Sequence, residues 1–431
     1  MNNDNIHDNI KGQDTTAHSR RRPLQIAIVG GGAAGFFAAI EAKSRRSDAQ
    51  VTMFERNSRP LAKVAVTGGG RCNLTNSFEE IKDLRQAYPR GHNVMKRLLR
   101  SFDHRDTWRW FEQRGVRLVT QDDQCVFPQS QDAMSIVHCL TSTAARLGVR
   151  LLTGRRLTAM SREADGRLRL EFADGSCGTF DRVAVTTGGA PRGEGLGMFA
   201  SLGHSIEPPV PSLFTLNVKD RAFQQLMGTV VEHVTVSIPS TRLRAAGALL
   251  VTHWGISGPA VLKLTSHGAR YLSERQWTCD VAVNWTGERT RAEVEEEIGA
   301  MCEGCAQRQV ANVRPYDLPS RLWLHLLDRA GIAPERRWQE LGRKGVNRMV
   351  ETLVNYICHA EGRGKQREEF VTCGGVSLSS VNINTLESKA CPHLYFAGEV
   401  LDIDAITGGF NLQAAWTTGY VVGQNIVNIG E

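Results

Sequence analysis

The feature that most constrains this chain is a glycine pattern divided between its two ends. Val29-Gly30-Gly31-Gly32-Ala33-Ala34-Gly35 follows the apolar run Gln25 to Val29 and precedes an alanine-rich helical run. A G-x-G-x-x-G set between a strand and a helix is the context in which that pattern folds as a phosphate-binding turn. Gly30 permits the tight turn, Gly32 lets backbone N–H groups approach a pyrophosphate at the helix N-terminus, and Gly35 lets helix and strand pack closely. Val51-Thr52-Met53-Phe54 reads as a second strand, and Glu55 ends it twenty residues after Gly35. A carboxylate there accepts hydrogen bonds from both hydroxyls of an adenine ribose and repels a 2′-phosphate, which selects FAD or NAD over NADP.

The distal half separates those two. Leu394 to Ala397 is a short buried-strand pattern ending in Gly398-Glu399, followed by Gly408-Gly409-Phe410-Asn411 and the helical run Leu412 to Ile426. A flavin needs an acceptor at a strand end for its ribityl chain and a helix N-terminus aimed at the N1/O2 edge, where negative charge collects on reduction. An NAD domain needs neither. Taken alone, the distal glycines also read as a plain turn between strand and helix; the two ends together imply FAD.

At 431 residues and 41% hydrophobic content the chain can bury a large core and divides into two or three compact units. Its ten cysteines lack framework spacing, no secretory apolar segment is visible, and no apolar run reaches membrane-span length. A reducing cytoplasm with free thiols is the expected setting, and no membrane partner is expected. The net charge of +7 comes from 52 basic against 45 acidic residues spread along the chain. That distribution reads as solvated surface and argues against a nucleic-acid partner. Residues 1–22 are polar, contain Asp4, Asp8 and Asp14, and read as a disordered tail rather than an acid-poor transit peptide.

Lys63-Val64-Ala65-Val66-Thr67-Gly68-Gly69-Gly70-Arg71-Cys72-Asn73 is too glycine-rich for a helix and too long for a plain turn. Such a loop lets backbone amides lie flat on a planar ligand. Apolar spacing predicts one helix over Val94 to Phe111 and another over Ala133 to Leu147, stopped by Gly148. Leu168 to Phe172, a turn at Asp174-Gly175, and Phe180 to Thr186 form a meander back to the nucleotide sheet. Composition changes at Pro191: β-branched runs at Thr229 to Ile238, Gly247 to Val251 and Cys279 to Asn284 predict a β-rich unit, and helical patterning extends from Glu288 to about Ala360. Glu361 to Glu369 reads as a linker, and Phe370 restarts strand character.

Lys63 to Asn73, Thr252-His253-Trp254-Gly255-Ile256-Ser257-Gly258-Pro259-Ala260, Cys373-Gly374-Gly375-Val376-Ser377 and Tyr395 to Asn411 resemble, in that order, the bacterial FAD-binding family of aminoacetone-oxidase-like and bile-acid-reductase-like flavoproteins. The resemblance runs from about Leu24 to the C-terminus. It implies an α/β, glutathione-reductase-type FAD-binding (Rossmann-like) fold with an inserted β-barrel-like domain and a nested helical subdomain. On that basis residues 23–191 and 370–431 form the FAD-binding domain, 192–287 the β-rich insert, and 288–369 the helical subdomain with its linker. The resemblance also implies that Gly30, Gly32, Ala33, Ala34 and Gly35 hold the pyrophosphate and Glu55 the ribose. Lys63, Thr67, Gly69, Arg71 and Asn73 would lie along the flavin, and Gly188 and Gly189 beside the adenosine half. Gly398, Glu399, Asp402, Gly409, Phe410, Asn411 and Leu412 would complete the ribityl and ring site.

FAD carries the electron transfer, so the protein need only position a substrate and supply charge or a proton. Arg71 is the candidate for stabilising a reduced flavin or a substrate carbonyl; otherwise it is a surface arginine in a glycine loop. Cys72 has no neighbouring cysteine in sequence, and a packed inert thiol is the simpler reading. His253 could donate a proton, or could cap the helix that follows. Asp402 and Asp404 flank the distal motif, with a solvated turn as the alternative for Asp404. Cys302-Glu303-Gly304-Cys305 has metal-ligand spacing but no second ligand pair, so no metal is expected. Gly193-Glu194-Gly195-Leu196-Gly197 lacks the strand-to-helix context of a second dinucleotide site, leaving NAD(P)H at most a transient visitor. The function read from these residues is an FAD-dependent oxidoreductase transferring hydride through flavin N5, most simply an NAD(P)H-linked reduction of an activated double bond in a small or apolar molecule. The alternatives are an oxygen-dependent oxidase of a small amine, a flavin-dependent RNA-modifying enzyme and a non-turnover redox-sensing flavoprotein.

Overall fold

The strand Gln25–Val29 is almost wholly buried, as its unbroken apolar run requires. It occupies the centre of a five-stranded parallel sheet in a computed structural model that describes residues 22–364 and 371–428. The expected tail through Arg21 and the restart at Phe370 lie outside the described residues. The sheet runs Leu394–Phe396, Arg182–Val185, Gln25–Val29, Gln50–Phe54, Arg150–Leu152. The strand from the C-terminal motif therefore joins the same sheet as the first β-α-β unit, one strand away from it.

The helices that follow the two glycine motifs pack directly on each other. A Cβ on Gly419, in the helix Phe410–Asn425, would stand 2.4 Å from the carbonyl oxygen of Ala34 in the helix Ala33–Arg45. One on Gly423 would stand 2.6 Å from Cβ of Glu41. Small residues thus let the axes close, and Phe37, Trp110 and Trp416 fill the flank with ring centroids 4.5 and 4.8 Å from Phe37. The expected helix over Val94 to Phe111 is two helices, His92–Leu98 and His104–Glu112. Asp103 breaks it by N-capping the second: its carboxylate accepts from the amides of Arg105 and Asp106, and the Asp106 carboxylate accepts from the Asp103 amide. Of the expected meander, Leu168–Phe172 pairs antiparallel with Cys177–Phe180 and with Leu157–Arg162, whereas the return segment supplies Arg182–Val185 to the parallel sheet.

The β-branched runs close into a six-stranded barrel: Leu216–Val218, Gly255–Ser257, Arg244–Val251, Val230–Ser237, Thr278–Asn284 and Tyr356–Arg363. Its last strand lies in the stretch expected to be helical and linker. The helix Gly342–Val354 runs into it with one residue between, which hides the change from period 3.6 to period 2. The helices Arg291–Gly304, Ser320–Arg329 and Gly342–Val354 form a loop-out between two paired barrel strands and share the barrel's own core. The chain leaves the sheet domain along Ile206–Ser212 and returns along Val371–Val376, and these two strands pair antiparallel as a two-stranded ribbon. Gly375 lets the ribbon lie on the Gly398–Val400 turn, since its Cβ would meet the Val400 carbonyl oxygen at 2.4 Å.

Gly419→Ala should therefore force the two terminal helices apart and cost about 1–3 kcal/mol, the usual penalty of overpacking. Chemical unfolding checks this, and unchanged stability would mean that the helices are not in close contact.

Candidate functional site

The nucleotide turn is fixed by its neighbours rather than by its own side chains. The Gly30 amide donates to the Phe54 carbonyl at 2.7 Å, and a Cβ at Gly30 would collide with the Thr186 carbonyl oxygen at 2.3 Å. Its φ of +117° is in any case a glycine conformation. Glu55 ties the turn to the second strand: Oε2 accepts from the Gly31 amide and Oε1 from the Asn57 amide, each at 2.8 Å, and the residue is 8% exposed. A Cβ on Gly32 would meet nothing within 4 Å, so the turn opens directly into free space.

That space is a cleft of about 490 Å³ lined from both ends of the chain. Glu55, Asn57, Arg155 and Arg156 form one group of its walls, joined by the bond from the Arg155 amide to the Glu55 carbonyl. Asn73, Gly408, Gly409 and Leu412 form another, at the start of the helix Phe410–Asn425, which has no side-chain cap. Gly409 sits so close to Thr75 and Asn73 that a Cβ would fall 2.2 Å from the Thr75 carbonyl oxygen. Between them, Glu399 accepts from the Thr372 amide at 2.7 Å and pairs with Lys63 at 2.9 Å, linking the two sequence motifs across the cleft.

Of the residues singled out from sequence, Gly30, Gly32, Ala33, Ala34, Glu55, Lys63, Thr67 and Asn73 line this cleft. So do Gly188, Gly189, Gly398, Glu399, Gly409, Asn411 and Leu412. Others are not brought to it. Gly35 lies beneath the turn, where a Cβ would be 2.0 Å from the Gly30 carbonyl oxygen. Phe410 is core, packed edge-on to Phe78 with its carbonyl held by the Tyr88 hydroxyl. Gly69 lies outside the lining, and Asp402 turns to Arg270 at the barrel, 3.6 Å away. Asn411, which does line the cleft, bonds Ala405 through both its side-chain oxygen and its nitrogen and so clamps the loop before it.

Both residues expected to assist chemistry stand elsewhere. Arg71 is exposed, with its guanidinium 4.4 Å over the Phe127 ring and bonded to the Gly68 carbonyl and Gln131. His253 is exposed against Trp254 and caps nothing, because the helix Pro259–His267 starts at Gly258 without a side-chain cap. Asp404, open to a solvated-turn reading, is instead fully buried against Arg90. Cys72 is buried, and burial pushes its thiol up to about 12. Among the described residues no His/Cys/Asp/Glu group could hold a metal, and no helix is long and apolar enough to cross a membrane.

Sequence reasoning missed Arg56, Arg59, Arg155 and Arg156 on the polar wall and Leu213, Ile403 and Ile406 on the apolar wall. Glu194-Gly195-Leu196, set aside from sequence as a second dinucleotide site, line this cleft as well. Only Arg56, adjacent to Glu55, carried a local signal. The lining fits an extended dinucleotide flavin. Gly32 and Gly188 leave open the volume a side chain would take, and Oδ1 of Asn73 and Oγ1 of Thr372 are buried without a partner beside it. Bound there, FAD would supply two-electron transfer, and the residues of the cleft would hold and orient it.

Fold and cleft together define an FAD-dependent oxidoreductase of Rossmann type. The chain belongs to the family described as HI0933-like protein Rossmann domain, whose model matches residues 24–425. It is similar to the 3-dehydro-bile acid delta(4,6)-reductase of Clostridium scindens, 29% identical over 408 residues covering 93% of this chain and 98% of that one. It is also similar to the ribosomal RNA dihydrouridine synthase of Haemophilus influenzae, 28% identical over 416 residues covering 93% and 97%. Among solved structures, the 3-ketosteroid-Δ4-(5α)-dehydrogenase of Rhodococcus jostii shares the fold at 15% identity, with a TM-score of 0.50 over 96% of this chain and 99% of that one.

Two outcomes follow for the site. Glu55→Ala removes the acceptor that holds Gly31 and should weaken FAD binding by about 1–3 kcal/mol, read as a shift in the FAD titration midpoint; an unchanged midpoint would separate Glu55 from the nucleotide. Cys72 should resist iodoacetamide in the native protein at about pH 8 while exposed Cys177 reacts, because the thiolate is the nucleophile.

Proposed function

We propose that this protein reduces a ring C=C bond conjugated to a carbonyl, taking hydride from NAD(P)H through FAD. The observation that carries the reading is the make-up of the cleft. Its described lining contains no cysteine, histidine or tyrosine, so it offers no thiol for disulfide exchange and no imidazole or phenol for proton transfer. It offers instead an apolar wall of Leu213, Val371, Ile403 and Ile406 for a flat, uncharged group. Lys63, held by Glu399, is the one ammonium group among the described lining residues. It can hold a proton or stabilise charge on a substrate oxygen. Saturation of such a bond is also the chemistry shared by a Δ4,6-reductase and a dihydrouridine synthase, which supports assigning reduction rather than oxidation.

The substrate divides two readings. A free, apolar enone fits the apolar wall. A uracil ring within RNA is favoured by a separate observation: in the helical subdomain, Arg308, Arg336, Arg343 and Lys344 make no ion pair with an acid among the described residues. The first two flank the bridge between Gln309 and Arg337, where the Trp338 amide donates to the Arg308 carbonyl and the Val310 amide to the Arg336 carbonyl. Unpaired surface cations of this kind suit a phosphate backbone.

Anaerobic NADH or NADPH should bleach the flavin band, and a 3-oxo-Δ4 steroid or ribosomal RNA should restore it without oxygen. Bleaching by neither nucleotide would refute the donor, and restoration only by oxygen would make the protein an oxidase. Nucleoside analysis of ribosomal RNA from a deletion strain decides between the substrates: loss of dihydrouridine supports the RNA reading, and unchanged dihydrouridine excludes it.

A further inference from the structure

We propose that Arg90 and Asp404 form a positioning clamp that sets the apolar wall of the FAD cleft by fixing the end of the interdomain ribbon. The inference rests on the cleft being the FAD site and is independent of donor and substrate. Arg90 comes from the sheet domain, and Asp404 from the loop leading to the C-terminal helix. Their side chains are 15% and 0% exposed and pair through both guanidinium edge nitrogens, and their backbones form an isolated bridge. Such burial is costly unless every donor is used. Here four bonds from the guanidinium reach three segments. Nη1 donates to the Ser266 carbonyl of the barrel helix at 2.8 Å, Nη2 reaches Ser212 Oγ at 3.4 Å, and Ser212 donates to Asp404 at 3.0 Å. Arg270 repeats the theme nearby, bonding the Pro208 carbonyl at 3.3 Å and pairing with Asp402.

Ser212 is the last residue of the outgoing ribbon strand and pairs with Val371, the first of the returning one. The residues immediately beside this joint face the cleft. Leu213, in a left-handed conformation at φ +56°, lines it, as do Val371 and Ile403, the neighbour of Asp404. A leucine holds that conformation only when its surroundings determine it. None of Arg90, Asp404, Ser212 or Ser266 lines the cleft. The pair therefore acts through others: it holds the barrel, the ribbon and the Asp402–Thr407 loop at one point, and so places the wall against the flavin.

The test separates positioning from stability. In Arg90→Met/Asp404→Leu both charges are replaced together by apolar side chains, a change that often leaves stability intact. The variant should fold and bind FAD, but iodide should quench the fluorescence of the bound flavin roughly threefold or more strongly than in the natural protein, because a displaced wall admits water. Its flavin potential, measured against a reference dye, should shift as well. Arg90→Lys keeps the charge but cannot serve Asp404, Ser212 and Ser266 together, and its quenching should be intermediate. Natural quenching and potential in a folded double variant would overturn the proposal. Should the double variant not fold, Arg90→Lys decides alone: raised quenching supports the clamp, and natural quenching overturns it.

Discussion

Everything in this molecule depends on how closely the two ends of the chain can approach. The turn at Gly30 rests on Thr186, Gly35 rests on Gly30, and Gly419 rests on Ala34, each at a distance that no Cβ would permit. These contacts put the first nucleotide turn and the N-terminus of the last helix on the same side of one parallel sheet. A single cleft then receives backbone amides from one and glycines from the other. Dispersion and apolar burial hold the arrangement, through the ring cluster around Phe37, more than any hydrogen bond within the turn.

The barrel and its helices hang from this platform by one ribbon. That arrangement gives the insert its own core and leaves its orientation to a small number of contacts. Buried charge at Arg90 and Asp404 is a costly way to make such a contact, and its directionality is what apolar packing lacks. The wall of the cleft is where that orientation is felt.

The platform was legible in sequence because its signals are local. Glycines at fixed offsets, an acidic residue ending a strand and a glycine-rich stretch before a helix each mark a backbone requirement. The contents of the walls were not, because they depend on pairings far apart in sequence. Arg90 meets Asp404 across 314 positions, and nothing around either residue announces the other. Arg71 looked like a flavin neighbour from its place in the glycine loop, yet three successive glycines with positive φ leave its side chain free to stack on Phe127. Asn411 lines the cleft as expected, but the pairing of its amide with the backbone of Ala405 was not visible in sequence. The closing strand of the barrel was hidden by the helix that abuts it.

The most direct measurement is the identity of the nucleotide released when the purified protein is denatured. A cleft built by both ends of the chain predicts FAD in stoichiometric amount, or full uptake of FAD by protein purified without it. Release of FMN or NAD, or colourless protein that takes up no FAD, would contradict it.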